Sequence, residues 1–116
     1  MSEFRALSDL ERSVLKRLLS ADFPGRADLS GQIAGALVQP LDPEGSFSIR
    51  PAPGSRKAEV LRRVPVEAEY DDADGVTVHV LLHVLDGYLN ELEIYREDSG
   101  PLRATVMPDE FRLVVP

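Results

Sequence analysis

The histidines and the glutamates near them are the residues whose types and spacing come closest to a chemical site. His79 and His83 lie on one face of the predicted strand 76–85, because alternate residues of a strand point the same way. Glu93 lies on the next predicted strand, 88–96. Imidazole titrates near neutral pH, and a neighbouring carboxylate raises its basicity. His79, His83 and Glu93 are therefore weak candidates for a catalytic or metal-dependent site.

A solvent-exposed contact surface explains the same residues more simply. A cross-strand His–Glu pair in water contributes well under about 1 kcal/mol, and the spacing fixes no third metal ligand. The sequence therefore predicts neither a metal centre nor a cofactor. We expect Glu91, Glu93 and Tyr95 to form a binding surface, with Tyr95 and Glu93 clustered around His79.

The acidic segment 71–75 matches a calcium-binding loop only in part. Aligning Gly75 with the invariant glycine of an EF-hand puts Tyr70 at the first ligand position and Leu81 at the last, where carboxylates are required. A hydrogen-bonded turn is expected instead. The sequence contains no cysteine, which excludes disulfides, thiolate metal sites and cysteine nucleophiles, and it has no nucleophile-elbow or phosphate-loop motif.

Composition and charge favour one folded, acidic domain. The 116 residues are 43% hydrophobic and carry 13 Lys and Arg against 20 Asp and Glu, a net charge of −7. The negative charge disfavours nucleic-acid binding. Basic residues concentrate in 50–63, whereas 67–98 holds ten acidic residues and one arginine. With no signal peptide and no membrane-spanning stretch, we expect a cytoplasmic protein that does not enter the membrane.

Residues 1–34 are predicted to be helical. Ser8 and Glu11 form a capping box, in which each side chain bonds the backbone N–H of the other residue. Apolar residues recur every three or four positions behind it, so a helix is expected over about 9–21. The sequence FPG then breaks the helix, and a shorter helix is expected over about 26–34.

Residues 35–116 are predicted to form the sheet part. Turn residues between alternating segments indicate strands, and 51–63 is expected to be a basic loop. Pro40 indicates that its strand lies at an edge of the sheet. The expected strands are 37–41, 46–50, 64–70, 76–85 and 88–96, with 102–106 and 111–115 as further candidates.

The register of the central hairpin follows from the cost of burying carboxylates. A two-residue loop, Asp86 and Gly87, would turn Glu91 and Glu93 toward the core, at a cost of several kcal/mol. A three-residue loop, 85–87, turns them outward, so we expect this second register. It pairs Val80 with Leu92, Val78 with Ile94, and His79 with Glu93.

The buried face follows from the same alternation. We expect the apolar side chains of the strands to face those of the helices, which form an α+β fold with one or two N-terminal helices packed on one face of a mainly antiparallel sheet of five or six strands. The expected core residues are Leu10, Val14, Leu18, Leu29, Ile33, Val66, Val78, Val80, Leu82, Leu92 and Ile94.

Several blocks of the sequence resemble a known family. The segments VPVEAEY (64–70), VLLHV (80–84) and LNELEIYR (89–96) resemble a group of small bacterial proteins known only as a domain of unknown function. The likeness covers roughly 5–100, its last block is the most specific, and 50–63 matches least. The resemblance implies a stand-alone cytosolic domain, and it transfers no catalytic or binding residue.

We therefore expect a single domain over 1–116 that acts as a small accessory or interaction protein without catalysis and binds an unidentified protein partner through its acidic sheet face. The alternative is a small-molecule or metal-dependent enzyme that uses His79, His83 and Glu93. Homodimerisation through an edge strand, 38–41 or 111–115, is compatible with either function.

Overall fold

The computed structural model describes residues 3–116, and its fold is α+β. Within this part of the chain, two α-helices and one short 3₁₀ turn accompany a seven-stranded antiparallel sheet, rather than the five or six strands expected. The sheet order is β1-β2-β3-β6-β5-β4-β7. The helices are α1 (Asp9–Leu18) and α2 (Arg26–Gly31), and the strands are β1 (Arg5–Ala6), β2 (Leu37–Pro40), β3 (Phe47–Arg50), β4 (Val66–Asp71), β5 (Thr77–Leu85), β6 (Tyr88–Arg96) and β7 (Arg112–Val114).

The capping box starts α1 as predicted. The Ser8 hydroxyl accepts a hydrogen bond from the Glu11 N–H at 3.1 Å, and the Glu11 carboxylate accepts one from the Ser8 N–H at 2.8 Å. Both helices end about three residues earlier than expected. In α2 the cause is Gly31, since glycine costs a helix about 1 kcal/mol. Among the described residues, neither helix is long and apolar enough to span a membrane.

One expected core residue, Leu10, is 39% exposed, so that prediction is wrong. The buried stripe of α1 is centred on Val14, Leu15 and Leu18, and Leu10 lies at its border, about a quarter of a turn away. The other expected core residues are buried, and side chains of both helices and of the strands belong to one hydrophobic cluster.

The first hairpin forms where expected, but it does not lie at the edge of the sheet. Asp42 holds its turn by accepting hydrogen bonds from the Glu44 and Ser46 N–H groups. The edge prediction from Pro40 is wrong because β1 pairs with β2 on the outer side. Pro40 lies beyond the two residues that β1 contacts, so its missing N–H leaves no ladder bond unmade. A two-residue strand such as β1 is too short to show any periodicity.

The remaining connections are mostly loops. Residues 51–63 form no helix or strand, as predicted, and the Ala58 N–H anchors this basic loop by donating to the Gly87 carbonyl at 2.9 Å. Of the two late candidates, 111–115 contains β7, which pairs with β4 at the second edge of the sheet. The candidate 102–106 has no regular structure.

The central hairpin closes through the two-residue loop that we had rejected. Asp86 and Gly87 have φ angles of 53° and 85°, as a type I′ turn requires. Leu85 therefore pairs with Tyr88. The predicted three-residue loop is wrong. We chose it on the assumption that the two strands pair without interruption beyond the turn.

A β-bulge restores the expected faces. Val84 pairs with Leu89 but His83 pairs with Glu91, so Asn90 is the extra residue of β6. The extra residue shifts the alternation by one position, which turns the glutamates outward again. The expected pairs Val80–Leu92, Val78–Ile94 and His79–Glu93 are wrong, and the observed pairs are Val80–Ile94, Val78–Arg96, His79–Tyr95, Leu81–Glu93 and Leu82–Leu92.

Candidate functional site

The outward-facing side chains of three neighbouring strands, β4, β5 and β6, form a polar surface, which we call the open face. Along β4, β5 and β6 buried residues alternate with residues that remain partly exposed. Tyr95 is 41% exposed, and only Leu85, next to the hairpin turn, has a larger exposed fraction among the large hydrophobic residues of these strands, at 46%. We define the open face as eight of these outward-facing residues, Glu67, Glu69, His79, Leu81, His83, Glu91, Glu93 and Tyr95. Asp71 and Thr77, which pair with each other, continue it toward the β4–β5 turn.

Strand pairing arranges the open face in short rows across the sheet. Glu67 pairs with Leu81, which pairs with Glu93, so a leucine separates two glutamates. Neighbouring strands lie about 4.8 Å apart, so residues in one row are in contact range. The eight residues of the face include four glutamates and no lysine or arginine, so the face is acidic, and Arg112 of β7 pairs with Glu69 at its border.

His83 lies at the centre of a three-residue cluster. Its Nε2 atom is 2.9 Å from Oε1 of Glu93, and Glu91 pairs directly with it across the strands. One ligand atom from each of these three side chains lies within 4.8 Å of the others. The His83 Nδ1 atom is buried and has no hydrogen-bond partner among the described residues. The sequence named His83 and Glu93 as weak catalytic candidates and Glu91 only as a binding residue, and the expected register paired Glu93 with His79, so it did not bring both glutamates to His83.

His79 has different partners from those expected. Its Nε2 lies 3.1 Å from Glu97 Oε1, and its Nδ1 lies 3.9 Å from Glu69 Oε2. The His79 and Tyr95 rings stack with centroids 5.0 Å apart, so the predicted contact with Tyr95 forms, whereas Glu93 bonds His83 instead. Glu97 lies just after the end of β6, and the alternation pattern gave no reason to include it.

A second polar cluster lies at the C-terminal end of β6, where Arg96 and Asp72 are buried and the side chains of Asp74 and Asp98 are partly exposed. Arg96 is only 3% exposed and donates hydrogen bonds to the carboxylates of Asp72, Asp74 and Asp98, with distances of 2.7–3.0 Å. The sequence predicted a hydrogen-bonded turn here, and the turn forms, with the Gly75 N–H donating to the Asp72 carbonyl at 2.9 Å. The convergence of three aspartates on one arginine was not predicted.

These contacts shift the ionisation of the cluster. Hydrogen bonds from Arg96 hold the pKa of Asp74 and of Asp98 below the usual range. For Asp72, burial acts to raise the pKa, but hydrogen bonds from the Arg103 and Ala73 N–H groups and from Arg96 outweigh burial and lower it. All three carboxylates are therefore bound to an internal cation, and the cluster is structural.

The grooves lie away from the two histidines. One, of about 630 Å³, runs between 57–63 and 84–87, and its basic residues come from the basic loop. Another, of about 520 Å³, lies between the β2–β3 turn and residues 94–101, and its wall includes Tyr95. A third, of about 410 Å³, lies between the two helices. None of these three is lined by a histidine or by Glu93.

Comparison with known proteins identifies a family but no function. No curated protein and no solved structure matches the chain. A family model described as "Domain of unknown function (DUF6984)" matches residues 4–106, which include α1, α2, the central strands and the whole open face. The chain therefore belongs to this family of domains of unknown function.

Proposed function

We propose that this protein is a small, non-catalytic accessory protein of the cytoplasm that binds a protein partner through its open face. The observation that carries the proposal is the composition of that face, with four glutamates, two histidines, one leucine and one exposed tyrosine, and with Arg112 of β7 only at its border, beside Glu69. In this proposal the two helices cover the opposite face of the sheet. The partner segment carries lysine or arginine side chains and is not a nucleic acid.

The chemistry of the face suits recognition of a basic segment. Glu91 and Glu93 lie about 7 Å apart along the strand backbone, but their carboxylates converge beside His83, with oxygens within 4.8 Å of each other, and together present a concentrated negative charge to a cationic side chain. Tyr95 supplies a rigid amphipathic ring of the kind enriched at protein interfaces, and its stacking on His79 limits the entropy lost on binding. Leu81 adds apolar area at the centre.

The basic loop adds a positively charged patch to the surface of the protein. Among its basic residues, Arg56 lies 3.9 Å from Asp28, the outer limit of an ion pair, and Lys57, Arg62 and Arg63 line the groove beside 84–87. Separated patches of opposite charge orient a partner during its approach more than they strengthen the final complex. The loop therefore contributes to the orientation of the partner in this proposal.

The alternative function remains a prediction. In a small-molecule or metal-dependent enzyme, His79, His83 and Glu93 would meet the substrate on the open face, outside the three grooves described above. Edge-strand homodimerisation also remains a prediction, with one change: β1 pairs with residues 37 and 38 and blocks part of the first edge, so β7 is the edge that we expect to pair. A monomeric mass by light scattering would exclude it.

Charge reversal on the open face tests the proposal. The double variant E91K/E93K should lose the proteins that the wild type captures in a quantitative pull-down. The matched control is D22K/D109K, which makes the same change in net charge at two exposed aspartates outside the sheet. If every partner captured by the wild type also binds E91K/E93K, the open face is not the binding surface.

A further inference from the structure

We propose that His83, Glu91 and Glu93 form a binding site for a borderline divalent transition-metal ion such as Zn²⁺. The proposal goes beyond the proposed function, because its ligand is a metal ion and its test needs no protein partner. It rests on the cluster that the β-bulge assembles on the open face.

The ligand types select the class of metal. Imidazole nitrogen with carboxylate oxygen is a donor set for zinc and its neighbours, whereas calcium and magnesium prefer sites made of oxygen alone. Two carboxylates and one neutral imidazole give the three ligands a charge of −2, which matches a dication. Three protein ligands leave at least one position on the metal for water or a partner's side chain.

The distances are close to those of a coordination shell. Ligand atoms about 2.0–2.2 Å from a zinc ion and arranged tetrahedrally or at right angles lie about 2.9–3.5 Å from one another. The separation of His83 Nε2 from Glu93 Oε1, 2.9 Å, already falls in this range. The 4.8 Å limit on the whole group leaves about 1 Å for Glu91 to close, which a small side-chain rotation achieves.

The environment of His83 indicates which ring nitrogen would bind the metal. Its side chain is 19% exposed, yet Nδ1 has no hydrogen-bond partner among the described residues. The protein therefore holds the ring by one nitrogen only. Nε2 already faces the Glu93 carboxylate, so it is the nitrogen that would bind the metal, and the metal would replace the single His–Glu hydrogen bond.

His79 provides an internal control of the same chemical type. It lies on the same strand and face as His83 and also has two glutamates nearby, Glu69 and Glu97. These carboxylates approach opposite nitrogens of the ring, so they do not converge on one point. The geometry therefore predicts that His79 does not bind the metal, although it too has two glutamates nearby.

Calorimetric titration of the full chain with Zn²⁺ tests the site. The wild type should bind one ion per chain. H83A, E91Q and E93Q should each weaken binding by about tenfold or more, and H79A by less than about twofold. Absence of saturable binding by the wild type, or an equal loss in H79A, would overturn the proposal.

A spectroscopic measurement on the wild type removes any dependence on how the variants fold. Zn²⁺ should shift the imidazole ¹⁵N resonances of His83 and leave those of His79 in place. Equal shifts at both histidines, or none at His83, would contradict the site. Because the probe is the metal alone, failure here leaves the pull-down result of the proposed function standing, and failure of the pull-down leaves this site standing.

Discussion

The backbone N–H of Leu89 donates a 2.8 Å hydrogen bond to the side-chain oxygen of Gln32. The side-chain nitrogen of Gln32 donates in turn to the carbonyls of Gly87, at 2.9 Å, and Arg56, at 2.8 Å. Gln32 is completely buried, just after the end of α2. One amide therefore joins α2, the basic loop and the residue that precedes the β-bulge at Asn90.

Replacing Gln32 with leucine should destabilise the protein by about 1–3 kcal/mol, because the substitution removes the acceptor for a buried N–H group. Urea denaturation of Q32L against the wild type measures the loss. S30A, an exposed change in the same helix, should alter the free energy of unfolding by less than about 0.5 kcal/mol. Equal stability of Q32L and S30A would show that the bridge contributes nothing.

Gly87 should be the glycine that tolerates a side chain least. Its φ angle is 85°, and an added Cβ would lie 2.5 Å from the Ala58 carbonyl oxygen. G87A should therefore combine strain with displacement of the basic loop. Gly75 is the matched control, since its φ is 88° but an added Cβ meets nothing within 4 Å.

Thermal unfolding of the two glycine variants separates these effects. G75A should lose about 1–2 kcal/mol, the usual cost of a left-handed residue with a side chain. G87A should lose clearly more. Equal losses would mean that the contact between the loop and the turn is not maintained in solution.

The buried arginine should matter far more than an exposed one. R96M leaves Asp72 without its cation inside the protein, and breaking a buried pair from one side is strongly destabilising. R112M removes only an exposed pair with Asp71, worth at most about 1 kcal/mol. The urea midpoint should fall several-fold more in R96M than in R112M. Similar midpoints would contradict a structural role for the Arg96 cluster.

Tyr70 should make the stability of the protein depend on alkaline pH. Burial, with the nearby charges of Asp72 and Glu110, raises the pKa of Tyr70 from 10 to about 12. Between these values the unfolded chain loses the phenolic proton and the folded chain keeps it. The free energy of unfolding should therefore be unaffected by Tyr70 below pH 10 and fall between pH 10 and pH 12.

The variant Y70F isolates this effect. The Tyr70 hydroxyl is buried without a hydrogen-bond partner among the described residues, so its removal should leave the protein at least as stable at pH 7. Denaturation curves of Y70F recorded from pH 8 to pH 11.5 should show a smaller fall in the free energy of unfolding than those of the wild type, because the contribution of Tyr70 is absent. A large loss of stability at pH 7 would show that the hydroxyl is paired.

The faces of the central hairpin were predictable from the sequence, but their register was not. Alternation together with the cost of buried carboxylates correctly placed Glu91 and Glu93 outward. An unbroken ladder was the wrong assumption, because a bulge changes which residues pair while it preserves the faces. The sequence did contain a signal for the bulge. Asp86 and Gly87 favour a two-residue turn, and the apolar residues shift from odd to even positions between Leu89 and Leu92.

Other parts of the structure depend on contacts between residues far apart in the sequence. The three-residue cluster of the open face needs the bulge, the Arg96 cluster joins two loops, and Gln32 bonds residues 24–57 positions away. Spacing along the chain cannot reveal such contacts. Local signals, by contrast, predicted α1 through the capping box of Ser8 and the first hairpin through its turn residues.

The outward position of His83 opposite Glu91 and Glu93 is the relationship on which both the binding surface and the metal site depend. A nuclear Overhauser spectrum of the wild type tests it directly. We expect cross-peaks from the His83 ring protons to the side-chain protons of Glu91 and Glu93, and none to the methyl groups of Val14 or Leu18. Cross-peaks to those helix methyls, with none to the glutamates, would contradict the arrangement.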